Sequence, residues 1–233
     1  MSRIGIITGM RVEEDCLAAA LSSLPDKRQP LLHCAGASAA RAYDGARELA
    51  GEGAAALLSF GIAGGLDAAL RPGDVVVPDI ILSAGGAAGS ERRASAEWHA
   101  AVLNELPRAA IGALFAAREP ICSVAEKAAV RAASGALAID MESGAVAAAA
   151  AEAGLPFLAV RVIADPADRA IPAAALYGIA PDGTRRPLAV LLRLILRPAD
   201  LPPLIRLARD SEAALRQLRR VATLGSALFT PPD

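Results

Sequence analysis

The chain has 233 residues, 54% hydrophobic and 21% charged, with a net charge of −1. That length and apolar content suit one α/β domain or two small ones with a sizeable core, and exclude global disorder. Aromatics make up 3% and no polybasic block is present, which excludes a non-specific DNA binder or a stacking surface for single strands.

In chain order, "RIGIITG" reads as a buried strand and "VEEDCLAAALSSL" as its helix. "PLLHCAG" is a second strand, after which Ser38 is placed to cap a helix over "AARAYDGARELAG" that ends at Gly51. "AAALLSFG" is a third strand running into the Gly-rich "GIAGGL". "GDVVVPDIILSA" is β-branched and bent at Pro78. A helix over "SAEWHAAVLNEL", a strand over "AAIGALFAA" and a helix over "AEKAAVRAAS" follow. Then come the strand "ALAIDM", the helix "ESGAVAAAAAEAG" and the strand "PFLAVRVIAD". This alternation predicts α/β: a single three-layer domain, 1–233, with a central, mostly parallel mixed sheet flanked by helices. Residues 166–187 read as a long loop with one turn of helix, and a C-terminal helical extension spans 187–223.

Cys16, Cys34 and Cys122 are scattered without a CxxC pair, so free thiols in a reducing, cytoplasmic setting are expected. Two histidines, His33 and His99, exclude a His-rich metal site, and each reads as packed or solvated. No metal and no cofactor is expected. "MSRIGIITGM" does not read as a signal peptide, and no apolar run reaches the ~20 residues of a membrane span.

Acids at strand ends carry the chemistry. In "TGMRVEED", Glu13, Glu14 and Asp15 open a helix after the first strand; the macrodipole alone accounts for acids there. "RVIADPAD" puts Asp165 at a strand's carboxyl end, either as a turn cap or as a catalytic acid. In "AIDMES", Asp140 and Glu142 share a strand face opposite Met141 unless Glu142 already turns into the helix. "SFGIAGGLD" is either a ligand loop or a tight turn; it is neither a P-loop nor GxGxxG.

Together, "IGIITGMRVEE", "SFGIAGGLDAALRPGDVVVPD" and "AIDMESGAVAAAAAEAGLPFLAVRVIAD" resemble the purine nucleoside phosphorylase and methylthioadenosine/S-adenosylhomocysteine nucleosidase superfamily across roughly 1–165. "DMES" with "RVIADPADRAIP" and the C-terminal extension looks most like its hopanoid-associated phosphorylase group, linked to release of adenine from adenosylhopane, leaving ribosylhopane. The resemblance implies cleavage of a purine N-glycosidic bond, with Asp165 as acid to the purine and Glu13 activating water. It implies that Glu142 holds the ribose hydroxyls with Met141 against the sugar, and that Asp140 is structural. It places Ser123, Val124 and Ala125 at the base and Gly61, Ile62 and Ala63 at the nucleophile; Arg11 is a candidate anion contact from its position alone, opposed by the charge of nearby Glu13. The resemblance also implies a homodimer and a nucleoside substrate with an apolar 5′ group.

Two departures bear on the nucleophile. Ser59 and Ile62 stand where phosphorylases carry an arginine and a hydroxyl on phosphate, which favours water, since a phosphate dianion needs charged donors. Ala164 replaces a serine that steadies the acid in relatives. A phosphate-dependent phosphorylase, a methylthioadenosine/S-adenosylhomocysteine nucleosidase and a non-catalytic nucleoside-binding scaffold are the alternatives. In the last helix, Leu204, Leu207, Ala208, Leu215, Leu218 and Ala222 share one face among arginines. That face either packs on the sheet or rests on an anionic membrane as a peripheral contact.

Overall fold

The computed structural model describes residues 3–22, 24–25, 29–83, 91–178, 180, 182–184, 186–224 and 226–231. Ser23, inside the expected first helix, and Ala84, the expected end of the Pro78 strand, lie outside these, as do parts of the 166–187 loop.

The chain forms one α/β domain around a mixed sheet, nine-stranded among the described residues. Its strands are β1 (Arg3–Thr8), β2 (Leu31–Cys34), β3 (Ala54–Gly65), β4 (Val75–Val76), β5 (Ile80–Ser83), β6 (Arg92–Arg93), β7 (Ala113–Ala116), β8 (Ala138–Asp140) and β9 (Phe157–Asp165). Its helices are α1 (Arg11–Leu21), α2 (Ala39–Gly51), α3 (Ala96–Glu105), α4 (Val124–Ser134), α5 (Ser143–Ala153), α6 (Pro187–Leu196) and α7 (Leu201–Leu224). The order is β2-β1-β3-β8-β7-β5-β6, with β9 beside β3 and β4. β1, β2, β3 and β9 run parallel to their partners in the first half, and β8 meets the end of β3 antiparallel.

Strand periodicity sorts the core into two layers. Leu58, Phe60, Val160 and Val162 face Leu17 of α1, Trp98 of α3 and Leu215 and Leu218 of α7. Leu57, Ala159 and Ile163 face Ala42 and Ala46 of α2 and Val146, Ala147 and Ala150 of α5. The alanines of α5 let it lie close to the sheet: a Cβ on Gly144 would stand 2.7 Å from the Ala116 methyl. Gly154, at φ 66°, ends that helix in the left-handed region.

Two expectations change. The Gly-rich "GIAGG" is neither loop nor turn but the last part of β3, held by β9 on one side and β8 on the other. The Pro78 segment is two strands: β4 pairs with β9, while β5 pairs with β7. Among the described residues of the 166–187 segment there is a 3-10 turn, Ala173–Tyr177. Of the expected apolar face of α7, Leu215, Leu218 and Ala222 are buried in the core, whereas Leu204 and Leu207 are half-buried and Ala208 is exposed.

Candidate functional site

The carboxyl ends of β1, β3 and β9 meet, and this is where open parallel sheets bind ligands. Glu13 is the third residue of α1, and its Oε2 accepts from the Gly9 and Met10 amides at 2.8 Å each. That much is a capping-box gesture. Its Oε1, however, accepts from the Ile62 amide of β3 at 2.8 Å, so one carboxylate ties α1 to the strand.

Arg161, fully buried on β9, organises the other acids. Its Nε donates to Asp140 Oδ2 at 2.7 Å, and its Nη2 donates to Ser59 Oγ at 2.6 Å and Ser143 Oγ at 3.1 Å. Glu142 Oε2 lies 3.8 Å from Nη2. Asp140 also accepts from the Ser143 amide and hydroxyl, so it is spent on positioning. Glu142 takes the N-cap position of α5 with helical backbone angles, so the shared-face strand parity with Asp140 does not extend to it.

The glycines here make room for side chains from elsewhere. A Cβ on Gly61 would stand 2.6 Å from Glu13 Oε1 and 2.7 Å from Arg161 Nη1. A Cβ on Gly9 would stand 3.0 Å from Glu142 Oε1 and 3.4 Å from Glu13 Oε2. Glu13, Arg161 and Glu142 therefore converge around two glycines.

Asp165 lies where the β3–β9 register slips: Ala63 pairs with Ile163 but Gly64 with Asp165, leaving Ala164 as the extra residue. Its Oδ2 accepts from Lys127 Nζ at 2.6 Å. Lys127 of α4 is wholly buried, and its ammonium also donates to the Pro166 and Arg169 carbonyls at 2.9 and 3.0 Å. Three N–H groups meet three acceptors, as a buried cation requires.

Electrostatics follow from this burial. Burial raises the pKa of Glu13, against the opposing pull of Arg161 and three backbone amides. Burial and the Asp140 charge push Glu142 up to about 8, against Arg161. Burial raises Asp165 too, against Lys127. Three carboxylates around one guanidinium leave surplus negative charge, which the protonation of Glu142 relieves.

A cavity of about 1030 Å³ has Asp165 in its wall, while Glu13, Glu142 and Arg161 are not among the residues that line it. Ile62, Met141 and Asp165 line one part of it. Ile171, Leu176, Val190, Leu204, Leu207 and Leu215 line the remainder, which is largely apolar. Ile62 and Ala63 lie in β3, with Ile62 in the wall.

Other anticipated residues sit differently. Ser123 caps α4 in a reciprocal pair with Glu126, Val124 is exposed, and neither they nor Ala125 line this cavity. The Arg11 guanidinium is paired with Glu14 at 3.2 Å. Arg161 and Lys127 carry no role in the sequence reading. An arginine inside the apolar run "LAVRVIAD" was the available signal for the first; Lys127, in an alanine-rich helix, has none.

Structural comparison finds close likeness in fold. The methylthioadenosine/S-adenosylhomocysteine nucleosidase of Neisseria meningitidis, solved with methylthio-immucillin-A, aligns with a TM-score of 0.71 at 17% identity, over 96% of this chain and 98% of that one. The S-adenosylhomocysteine nucleosidase of Streptococcus pyogenes gives 0.72 at 19%, over 96% and 95%. Futalosine hydrolase of Helicobacter pylori gives 0.69 at 16%, over 94% and 97%. Comparison with curated protein sequences gave no match. The family model described as "Phosphorylase superfamily" matches residues 27–195, well over half of the sequence. The chain thus belongs to the phosphorylase superfamily, and its fold is that of the purine nucleosidases and nucleoside phosphorylases.

Proposed function

We propose that the protein hydrolyses the N-glycosidic bond of a purine nucleoside carrying an apolar 5′ group. Adenosylhopane, giving adenine and ribosylhopane, is the substrate indicated by the sequence resemblance. The observation that carries this reading is a single cavity with Asp165 and Met141 in one part of its wall and an apolar lining beyond.

Departure of the base builds positive charge on the ribose and negative charge on the purine. Asp165 delivers a proton to the purine; burial keeps its pKa up, while Lys127 holds Oδ2 and leaves Oδ1 for the base. Lys127 thereby steadies the acid in a chain that has Ala164 where relatives have serine. By the resemblance, Glu142 holds the ribose hydroxyls and Met141, in the cavity wall, packs on the sugar; Glu142 itself is buried just behind that wall, next in sequence to Met141. Glu13 orients and deprotonates the water: Oε1 uses one lone pair on the Ile62 amide and keeps another. Arg161 is consumed by Asp140, Ser59 and Ser143 and has Glu142 beside it, so it offers little to a phosphate dianion. This supports water over phosphate. The homodimer and the cytoplasmic setting rest on the resemblance and on the unpaired thiols; among the described residues no helix is long and apolar enough to cross a membrane.

The test is product analysis. Purified protein is incubated with adenosylhopane or methylthioadenosine, with and without phosphate, and adenine and sugar products are quantified. Phosphate-independent adenine release is expected. Ribose 1-phosphate formed only with phosphate makes the enzyme a phosphorylase, and no base release from any purine nucleoside overturns the proposal.

A further inference from the structure

Of the expected membrane face on α7, Leu215, Leu218 and Ala222 are buried in the core and Leu204, Leu207 and Ala208 line the cavity, yet an uncovered apolar face exists one helix earlier. α6 is built from "PLAVLLRLIL", and none of its described side chains is buried. Leu188, Leu192 and Leu196, four residues apart and hence on one stripe, are 74%, 64% and 73% exposed. A short helix this apolar is ordinarily buried. Charge indicates what covers it. Between 184 and 198 the sequence holds four arginines and no acid. Arg186, Arg193 and Arg197 are exposed, and the Arg193 guanidinium lies 3.9 Å over the exposed Tyr177 ring. Leucines for the acyl region, with arginines and a tyrosine beside them for the headgroups, make an interfacial anchor. A second copy is a poor occupant, since a two-fold contact would set these arginines against themselves without an acid on the helix.

From this face we infer that α6 docks on an anionic lipid bilayer, with its leucine stripe in the headgroup–acyl boundary. The other side of the same helix, through Pro187 and Val190, lines the cavity that holds Asp165. One helix therefore separates lipid from cavity, so an apolar 5′ group has a short path between them. This consequence rests on the proposed nucleoside reading of the cavity; the docking itself does not.

The test uses the full chain and vesicles of phosphatidylcholine with about one quarter phosphatidylglycerol, against phosphatidylcholine alone. The protein is expected to sediment with the anionic vesicles and to weaken with added salt. L188S/L192S/L196S is expected to lower the partition coefficient about 100-fold or more. Its melting temperature and its adenine release from soluble methylthioadenosine should match the parent protein, since none of the three leucines lines the cavity. Each Arg→Gln change at 193 or 197 should cost about fivefold on anionic vesicles only. Failure of the parent protein to bind anionic vesicles overturns the inference, as does equal binding by the triple variant. A lipid-free dimer that the triple variant converts to monomer also overturns it, and assigns the face to a second copy. Vesicle binding without base release from any nucleoside would sink the proposed activity and leave the docking intact; the reverse pattern would sink only the docking.

Discussion

The two parts of the cavity are built on opposite terms. On the side of Asp165, Glu13 and Arg161, hydrogen bonds and ion pairs fix the side chains, and groups from β3, β8, β9, α1, α4 and α5 interlock. Toward α6 the lining is apolar, and α6 itself packs mainly against the 3-10 turns Ala173–Tyr177 and Pro198–Asp200. The difference assigns them different work: hydrogen-bonded groups fix reacting atoms to within fractions of an ångström, whereas apolar walls select by area and tolerate reshaping. Changes on the polar side should therefore register in turnover or folding, and changes on the apolar side in affinity for long-tailed substrates alone.

Asp165→Asn should break the polar side most severely, lowering kcat by about 10²- to 10⁴-fold with the melting temperature retained. Turnover close to that of the parent protein would remove Asp165 from the acid role. Arg161→Met should cost about 3–5 kcal/mol of stability in a urea titration, because it strands buried Asp140 without its cation. A loss under ~1 kcal/mol would show that the acids do not depend on this guanidinium.

Glu142→Gln sharpens the comparison through pH. The folded pKa of Glu142 is raised by burial and by Asp140 from 4.5 to about 8, so its protonated form is the one the fold prefers. Its favourable contribution is complete below pH 4.5 and is lost as pH rises toward about 8. The Gln variant, locked neutral, should match the parent protein in acid and exceed it by a few degrees in melting temperature at the alkaline side. A gain independent of pH would refute this account. The smallest effect belongs to the apolar side: Leu207→Ser should raise KM for an apolar-tailed nucleoside roughly tenfold and leave kcat for methylthioadenosine unchanged. A fall in that kcat would mean the two parts are not separable.

How legible this was in the sequence also divides by region. Strands and helices of the sheet announced themselves through continuous apolar runs and caps such as Ser38, whose hydroxyl accepts from the Arg41 amide. Glu13, Glu142 and Asp165 stood out because carboxylates at the ends of apolar strands are conspicuous. Their partners did not. Lys127 lies in "AEKAAVRAAS", where every local cue describes a solvated helix, and only the packing of α4 against the end of β9 buries it. Ser123 shows the converse: Ser-x-x-Glu is a capping box by spacing alone, and its hydroxyl makes that reciprocal pair with Glu126. The Gly-rich end of β3 looked like a loop because glycine was read as backbone freedom, although neither Gly61 nor Gly64 has a positive φ.

Gly61 carries a consequence for substitution. An alanine there would meet no backbone objection, yet its methyl would claim space already filled by Glu13 and Arg161. The position works as a mould: its emptiness records the shape of two side chains encoded 48 residues before it and 100 after it. Restoring function to a Gly61→Ala chain would therefore call for a shorter acid or a shifted cation at those distant positions, and no adjustment of the strand itself would suffice.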